Sequence, residues 1–240
     1  MKTKKKIIAV LLMMVTLSSM IPIAQNVSAA GTKDDPVHIN IGTVSANGPG
    51  YAFASNLLTI NEGGYYTITG STNTRSVAVG TTSPAIINLD NVGISLSGAA
   101  SPINLGTNAN VTLELVGSNT LRAGHGNYAG IRTTGANLTV QGTGNLTVNG
   151  GTNAAGIGGN NGENGGRTTI KDGTITSVSI NGAGIGGGAA NGPGLVGGSG
   201  GTININGGNE IPHLLQAFYT RGRLGIYHGN GAAFEAQPFG

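Results

Sequence analysis

Ala155-Gly156-Ile157-Gly158-Gly159-Asn160 returns, lightly varied, as Ala183-Gly184-Ile185-Gly186-Gly187-Gly188, and a shorter copy precedes both as Ala129-Gly130-Ile131. Each copy is followed by polar and glycine residues and then by a short run rich in β-branched residues. Repetition at a period of about 20 to 50 residues is typical of solenoids, propellers and arrays. The repeat therefore predicts a fold built from stacked units.

Four isoleucines recur at intervals of 28, 26 and 28 residues, namely Ile103, Ile131, Ile157 and Ile185. A coil of about 20 to 30 residues, made of three short strands, fits one turn of a parallel β-helix. Each coil would bury its apolar side on the next coil, about 4.8 Å away along the axis. We therefore predict an all-β parallel β-helix in which these isoleucines form one inward stack.

A second aliphatic series supports the same period, with intervals of 24, 27 and 30 residues between Leu89, Leu113, Val140 and Ile170. Short runs of alternating or β-branched residues, bounded by Gly, Asn or Asp, predict the strands. These runs are 57–60, 65–69, 76–79, 85–89, 93–97, 111–115, 138–140, 168–170 and 203–205. Gly and Asn at the corners are expected to adopt positive φ, and the Asn amides are expected to form ladders between coils.

The first 30 residues predict a secretory signal peptide. Four lysines within the first six residues precede the uncharged and mostly apolar run 7–20, and cleavage is expected after Ala29 or Ala30. The apolar run is shorter than the roughly 20 residues that a membrane span requires. We therefore predict a secreted, extracellular or cell-wall-associated protein with no stable membrane span after cleavage.

The basic pI belongs to the precursor, because removing four lysines from 12 basic residues leaves eight against nine acidic residues. A net charge near −1 gives no basis for nucleic-acid binding. The chain also has no cysteine, which excludes disulfides and thiol catalysis.

Four segments follow from these patterns: 1–30 as a signal peptide, 31–50 as an irregular segment, 51–208 as the β-helix and 209–240 as an atypical tail. Residues 37–41 alternate and predict an edge strand within the irregular segment. The tail fits either a short helix that caps the solenoid or an out-of-frame end.

Segments 160–167 and 189–201 are insertions at one corner and are expected to project on the same side, where repeat proteins place binding residues.

Residues 155–159 with Gly173-Thr174-Ile175, and 183–188 with 200–208, resemble the AGIGGG…GGTITINGG repeats of secreted surface proteins of Gram-positive bacteria. Many members of that group are described as adhesin-like or as carbohydrate-binding-domain proteins. The resemblance covers about residues 85–208 and implies a right-handed β-helix in a cell-surface setting. It offers no catalytic residues.

No cofactor or metal is expected. The G-x-G of the repeats lacks the following helix that a dinucleotide site needs. The Gly/Asn run 156–166 holds one carboxylate, Glu163, whereas calcium-binding repeats need several. Carboxylates are otherwise scattered, and Asp90 and Glu114 are the pair that could approach across one coil. We therefore predict no enzymatic activity.

Exposed aromatic side chains beside amides are the residues that bind sugars. Tyr65 and Tyr66 alternate faces in one strand, so at least one should point outward, and Tyr128 lies next to Asn127. These four residues are the candidate glycan contacts, against the alternative that the aromatics only pack.

The predicted function is an adhesive or structural role at the cell surface, with extracellular or cell-surface glycans as its most specific partner. Two alternatives stay open: a polysaccharide lyase or glycoside hydrolase on the same fold, and a truncated fragment of a larger surface protein.

Overall fold

The computed structural model describes residues 30–190 and 196–206, together with the backbone of two short strands, Gln216–Ala217 and Ala233–Glu235. The predicted signal peptide lies outside these residues apart from Ala30. The predicted cap or out-of-frame tail also lies outside them, apart from those two strands. The described part of the chain contains strands and turns and no helix. No helix within it could cross a membrane.

Nineteen strands make up this part of the chain. They are β1 (Val37–Asn40), β2 (Tyr51–Ala54), β3 (Leu57–Ile60), β4 (Gly64–Thr72), β5 (Ser76–Val79), β6 (Ala85–Ser95), β7 (Ile103–Leu105), β8 (Asn110–Val116), β9 (Ser118–Arg122), β10 (Ile131–Arg132), β11 (Asn137–Gly142), β12 (Asn145–Asn149), β13 (Ile157–Gly158), β14 (Arg167–Ile170), β15 (Thr174–Val178), β16 (Ile185–Gly186), β17 (Thr202–Ile205), β18 (Gln216–Ala217) and β19 (Ala233–Glu235).

The strands stack as a parallel β-helix of about six turns, which confirms the predicted fold class. Face one contains β1, the first parts of β4 and β6, and then β8, β11, β14 and β17. Face two contains the ends of β4 and β6 with β9, β12, β15 and β18. Face three contains β3, β5, β7, β10, β13 and β16, with β2 antiparallel to β3.

The predicted isoleucine stack is confirmed on face three. Ile103 aligns with Ile131, Ile131 with Ile157, and Ile157 with Ile185, and all four side chains are buried. Val77 extends the stack toward the N-terminal end of the solenoid. Because like residues lie over like residues, the core is one continuous column of aliphatic side chains.

The second aliphatic series is in register except at its first member. Leu113, Val140 and Ile170 align on face one, but Leu113 lies opposite Ile87, whereas Leu89 lies opposite Leu115. Side chains alternate with a period of two along a strand, so Ile87 and Leu89 both face inward. The sequence period alone therefore could not distinguish them.

The corners carry the predicted asparagines. Asn91 has φ 53° at the bend of β6, and its Oδ1 accepts a hydrogen bond from the Ser118 N–H on the next coil at 3.1 Å. Asn153 Nδ2 donates to Asn127 Oδ1 at 3.3 Å, and Asn181 Nδ2 donates to Asn153 Oδ1 at 2.8 Å. The amide ladder predicted between coils is therefore present over three coils.

The predicted edge strand is β1, which pairs with β4. It lies within the segment that the sequence indicates as irregular, so the sheet of face one begins at Val37. The described parts of the two insertions also lie together as predicted, since the Gly162 N–H donates to the Ala189 carbonyl at 2.8 Å and the Gly165 N–H to the Ser199 carbonyl at 2.9 Å.

Candidate functional site

A cleft of about 390 Å³ lies on the outer surface of face three, and we call it the face-three cleft. Leu57, Ser76 and Ala78 line its N-terminal end, and Ala99, Ala100 and Ser101 line one side. Its polar groups are completed by Asn104, Tyr128, Arg132, Asn160 and Glu163. Among these described lining residues, Arg132 and Glu163 are the charged ones.

The floor of the face-three cleft is a row of outward residues on successive coils. Ala78 aligns with Asn104, and Asn104 aligns with Arg132, each directly following a buried member of the inward stack. Alternation along a strand requires this arrangement: where Ile131 points inward, Arg132 must point outward. The repeat that builds the core therefore also fixes the spacing of the polar floor.

Residues 159–164, which we call the crossing loop, pass over β10 from one side to the other. Before the strand, Asn160 Oδ1 accepts a hydrogen bond from the Ala129 N–H at 2.8 Å. After the strand, the single Thr134 hydroxyl proton has two acceptors within reach, Glu163 Oε2 at 3.0 Å and the Asn164 carbonyl oxygen at 2.9 Å. The loop therefore closes the outer surface above Arg132.

An ion pair joins the floor to the crossing loop. Arg132 Nε lies 2.6 Å from Glu163 Oε2, its Nη2 donates to Glu163 Oε1 at 3.0 Å, and its Nη1 donates to Asn104 Oδ1 at 3.3 Å. Partial burial alone would raise the pKa of Glu163, but the hydrogen bonds and charge of Arg132, with the bonds from Thr134 and the Asn160 N–H, lower it overall. Glu163 is therefore held as a carboxylate, and the pair leaves the cleft without net charge.

Glu163→Gln is expected to lower the free energy of unfolding at neutral pH by about 1 kcal/mol, because charge-assisted bonds at a partly exposed site are replaced by neutral ones. The folded pKa is lowered, so this stabilisation is present above the unfolded pKa and disappears as pH falls through the folded value. Denaturant unfolding at pH 7 and pH 3 should show a smaller difference between wild type and variant at pH 3 than at pH 7.

Glu62→Gln is the control for this measurement, since Glu62 forms no ion pair within the described residues. We expect its effect to stay within about 0.5 kcal/mol at both pH values. A difference for Glu163→Gln that is as large at pH 3 as at pH 7 would contradict the stated role of its charge.

Tyr128 is the one predicted glycan-contact residue that lines the face-three cleft. Its ring is half-buried and packs edge-to-face against His125, with centroids 6.0 Å apart and an interplanar angle of 75°. The neighbouring Asn127 belongs to the amide ladder and accepts a hydrogen bond from the Asn161 N–H through its carbonyl at 3.0 Å. Asn127 thus supports the cleft without lining it.

Tyr66 is a correction to the candidate set, because its ring is 1% exposed and packs in the core. Its single hydroxyl proton has two acceptors within reach, the Glu62 carbonyl at 2.9 Å and the Gly50 carbonyl at 3.2 Å. Burial, and then the charge of Glu62, raise the pKa of Tyr66 to about 12. Tyr65 is half-buried on face one, so the structure does not bring it together with Tyr128.

Sequence reasoning missed Asn104, Arg132, Asn160 and Glu163 as members of one site. A signal was present, since the copy at Ile131 has Arg132 where the later copies have Gly after the isoleucine. The contact between the crossing loop and Arg132 depends on how an insertion folds back, and the repeat period does not contain that information.

Asp90 and Glu114, the two carboxylates that the sequence suggested could approach each other, each have an amide partner instead. Glu114 lies opposite Asn88, and its Oε1 accepts a hydrogen bond from Gln141 Nε2 at 2.9 Å. Asp90 Oδ1 accepts from Asn91 Nδ2 at 2.8 Å. Each carboxylate is therefore bonded to an amide. Within the described residues, no cluster of His, Asp and Glu is arranged to hold a metal ion.

Comparison of the chain with protein-family models, with curated proteins and with solved structures gives no match. The function must therefore be inferred from the chemistry of the face-three cleft.

Proposed function

We propose that this protein is a secreted, cell-surface β-helix that binds neutral glycans in the face-three cleft. The observation that supports this proposal is a concave site of about 390 Å³ that combines an aromatic ring, several hydrogen-bonding side chains and a neutralised ion pair. Sites for small ligands are commonly concave, with apolar walls and a few polar groups that fix orientation.

A neutral sugar has an apolar face of C–H groups and a rim of hydroxyls, and the lining residues complement both. Tyr128 supplies an aromatic ring, and Leu57, Ala78 and Ala100 supply apolar surface elsewhere in the cleft. Arg132 has five N–H groups, and three of them bond Glu163 and Asn104, so two remain to bind hydroxyls. A carboxylated sugar would gain little here, because the Arg132 charge is already compensated.

A polysaccharide-cleaving reaction is less well supported by the same cleft. Glycoside hydrolysis uses two carboxyl groups, one of which must be protonated to act as the acid. Among the described lining residues, Glu163 is the single carboxyl group, and the lowered pKa keeps it ionised. The cleft therefore favours binding over hydrolysis.

Secretion and adhesion form the cellular part of the proposal. The lysine cluster followed by an apolar run, the absence of cysteine and the resemblance to surface repeats support it. An extended solenoid with a lateral cleft suits presentation at a surface, where repeat proteins bind through one face.

Tyr128→Ala is expected to weaken glycan binding about 10-fold, because an aromatic contact of about 1.4 kcal/mol is removed. The purified protein is first screened on an array containing neutral and uronic-acid glycans, and calorimetry then compares wild type and variant on the best neutral glycan. Tyr65→Ala is the matched control, since it removes a half-buried tyrosine from face one and should leave the affinity unchanged.

Two results would overturn the proposal. One is the absence of binding to every glycan on the array. The other is a loss of affinity with Tyr65→Ala and none with Tyr128→Ala, which would place the contact on face one.

A further inference from the structure

The face-three cleft runs parallel to the solenoid axis, because its floor is contributed by β3, β5, β7 and β10, which lie on successive coils. Three coil spacings separate the first and last of these strands, a span of about 14 Å or about three pyranose rings. Any extended ligand on this floor would therefore lie along the axis and make the same kind of contact once per coil.

The floor becomes progressively more covered toward the C-terminal end of the solenoid. In the outward row, Asn104 is exposed, Arg132 is half-buried, and Gly158 and Gly186 are buried. Ala78, at the other end of the row, is half-buried but opens into the cleft. The cleft therefore ends at Arg132.

The crossing loop forms the wall at that end. It is hydrogen-bonded to Ala129 on one side of β10 and to Thr134 on the other, and Glu163 holds it down on Arg132. Residues 198–199 of the second insertion lie behind it, since the Gly165 N–H donates to the Ser199 carbonyl at 2.9 Å and the Gly198 N–H to the Gly188 carbonyl at 2.9 Å. A ligand lying along the floor meets protein backbone and cannot continue past Arg132.

We propose that the face-three cleft is blind-ended and binds the terminal residues of an unbranched neutral glycan, with the chain end against Arg132 and Glu163. This inference rests on the proposed glycan-binding function and adds which part of the glycan is bound. The last sugar would meet the free N–H groups of Arg132 and the side chain of Asn160. The remainder of the glycan would leave the cleft past Leu57.

The number of protein molecules bound to each glycan chain tests this inference. Calorimetry is performed with soluble oligomers of α-1,4-glucose, β-1,4-glucose and β-1,4-N-acetylglucosamine. Long chains of α-1,4-glucose are used as they are, and long chains of the two β-linked polymers are used after sparse hydroxyethylation, which makes them soluble. We expect affinity per chain to rise up to about three residues and then to stay constant. We also expect one protein per chain at every length.

Several proteins bound along one long chain would overturn chain-end binding while leaving the proposed function intact. Failure of every neutral glycan to bind would instead remove the proposed function, and the inference with it.

Chemical modification of the two ends of the glycan gives an independent readout. One sample carries a bulky aromatic amine at the reducing end, and a second carries a bulky cap at the non-reducing end. We expect one of the two modifications to weaken binding at least about 10-fold and the other to have no effect. Unchanged affinity of both modified chains would contradict a blind end.

Discussion

Gly158→Ala is expected to lower the free energy of unfolding by about 2 to 6 kcal/mol, which is a large part of the stability of a typical domain. Gly158 has φ 146°, a conformation that residues with a Cβ rarely adopt. An alanine Cβ would also fall on the carbonyl oxygen of Gly186 on the next coil. The strained backbone accounts for about 1 to 3 kcal/mol and the overlap for a similar amount.

Gly98→Ala is the matched control for this experiment. Gly98 is exposed, and a Cβ built on it would have no neighbour within 4 Å. Its replacement should be neutral or slightly stabilising, because alanine restricts the unfolded chain. Denaturant unfolding of both variants distinguishes the two sites, and equal stability of Gly158→Ala and Gly98→Ala would show that coils do not approach closely at Gly158.

The glycine after each isoleucine therefore has a position-specific reason in this fold. Gly158 and Gly186 are both buried on face three. A Cβ on Gly158 would overlap the Gly186 backbone on the next coil, and a Cβ on Gly186 would press on Ala183 and Gly200. Arg132 occupies the same position one coil earlier, where it is half-buried beneath the crossing loop and lines the end of the face-three cleft. The motif that predicts the fold thus also marks where the outer surface is covered and where it becomes a cleft.

The period and the alternation within each run were sufficient to predict the solenoid, the inward isoleucines and most strands. These features are local or repeat at a constant interval, so one sequence contains them. The neighbouring runs 85–89 and 93–97 were predicted as two strands but form β6 with a bend at Asn91, because an asparagine in the left-handed region turns the corner without ending the pairing.

The face-three cleft could be predicted only in part. Tyr128 was identified because aromatic residues beside amides are recognisable in any sequence. Tyr66 was misassigned because alternation shows that two neighbours face opposite ways without showing which one faces inward. The pair Arg132–Glu163 spans 31 residues through an insertion, and no periodic pattern reports such a contact.

Ile131→Ala is expected to cost about 2 to 5 kcal/mol, because it leaves a cavity in the aliphatic column between Ile103 and Ile157. Stability in a solenoid is approximately a sum of coil and neighbour terms, so a defect in one coil weakens its contacts on both sides. We therefore expect unfolding to become less cooperative, with separate transitions for the coils before and after β10. Arg132 is on the same strand, so glycan binding should be lost at the denaturant concentration of the earlier transition.

Two variants set the scale for Ile131→Ala. Ile131→Val removes one methylene group and should cost about 0.5 to 1.5 kcal/mol. Val116→Ala removes a side chain that is 45% exposed on β8 and should change the free energy of unfolding by less than about 0.5 kcal/mol. Unfolding followed by circular dichroism and by glycan binding on the same samples tests the coupling of core and cleft. Removing a buried side chain from a filled column must lower the free energy of unfolding. If Ile131→Ala is as stable as Val116→Ala, the inward stack is therefore not filled at Ile131 and does not support the cleft.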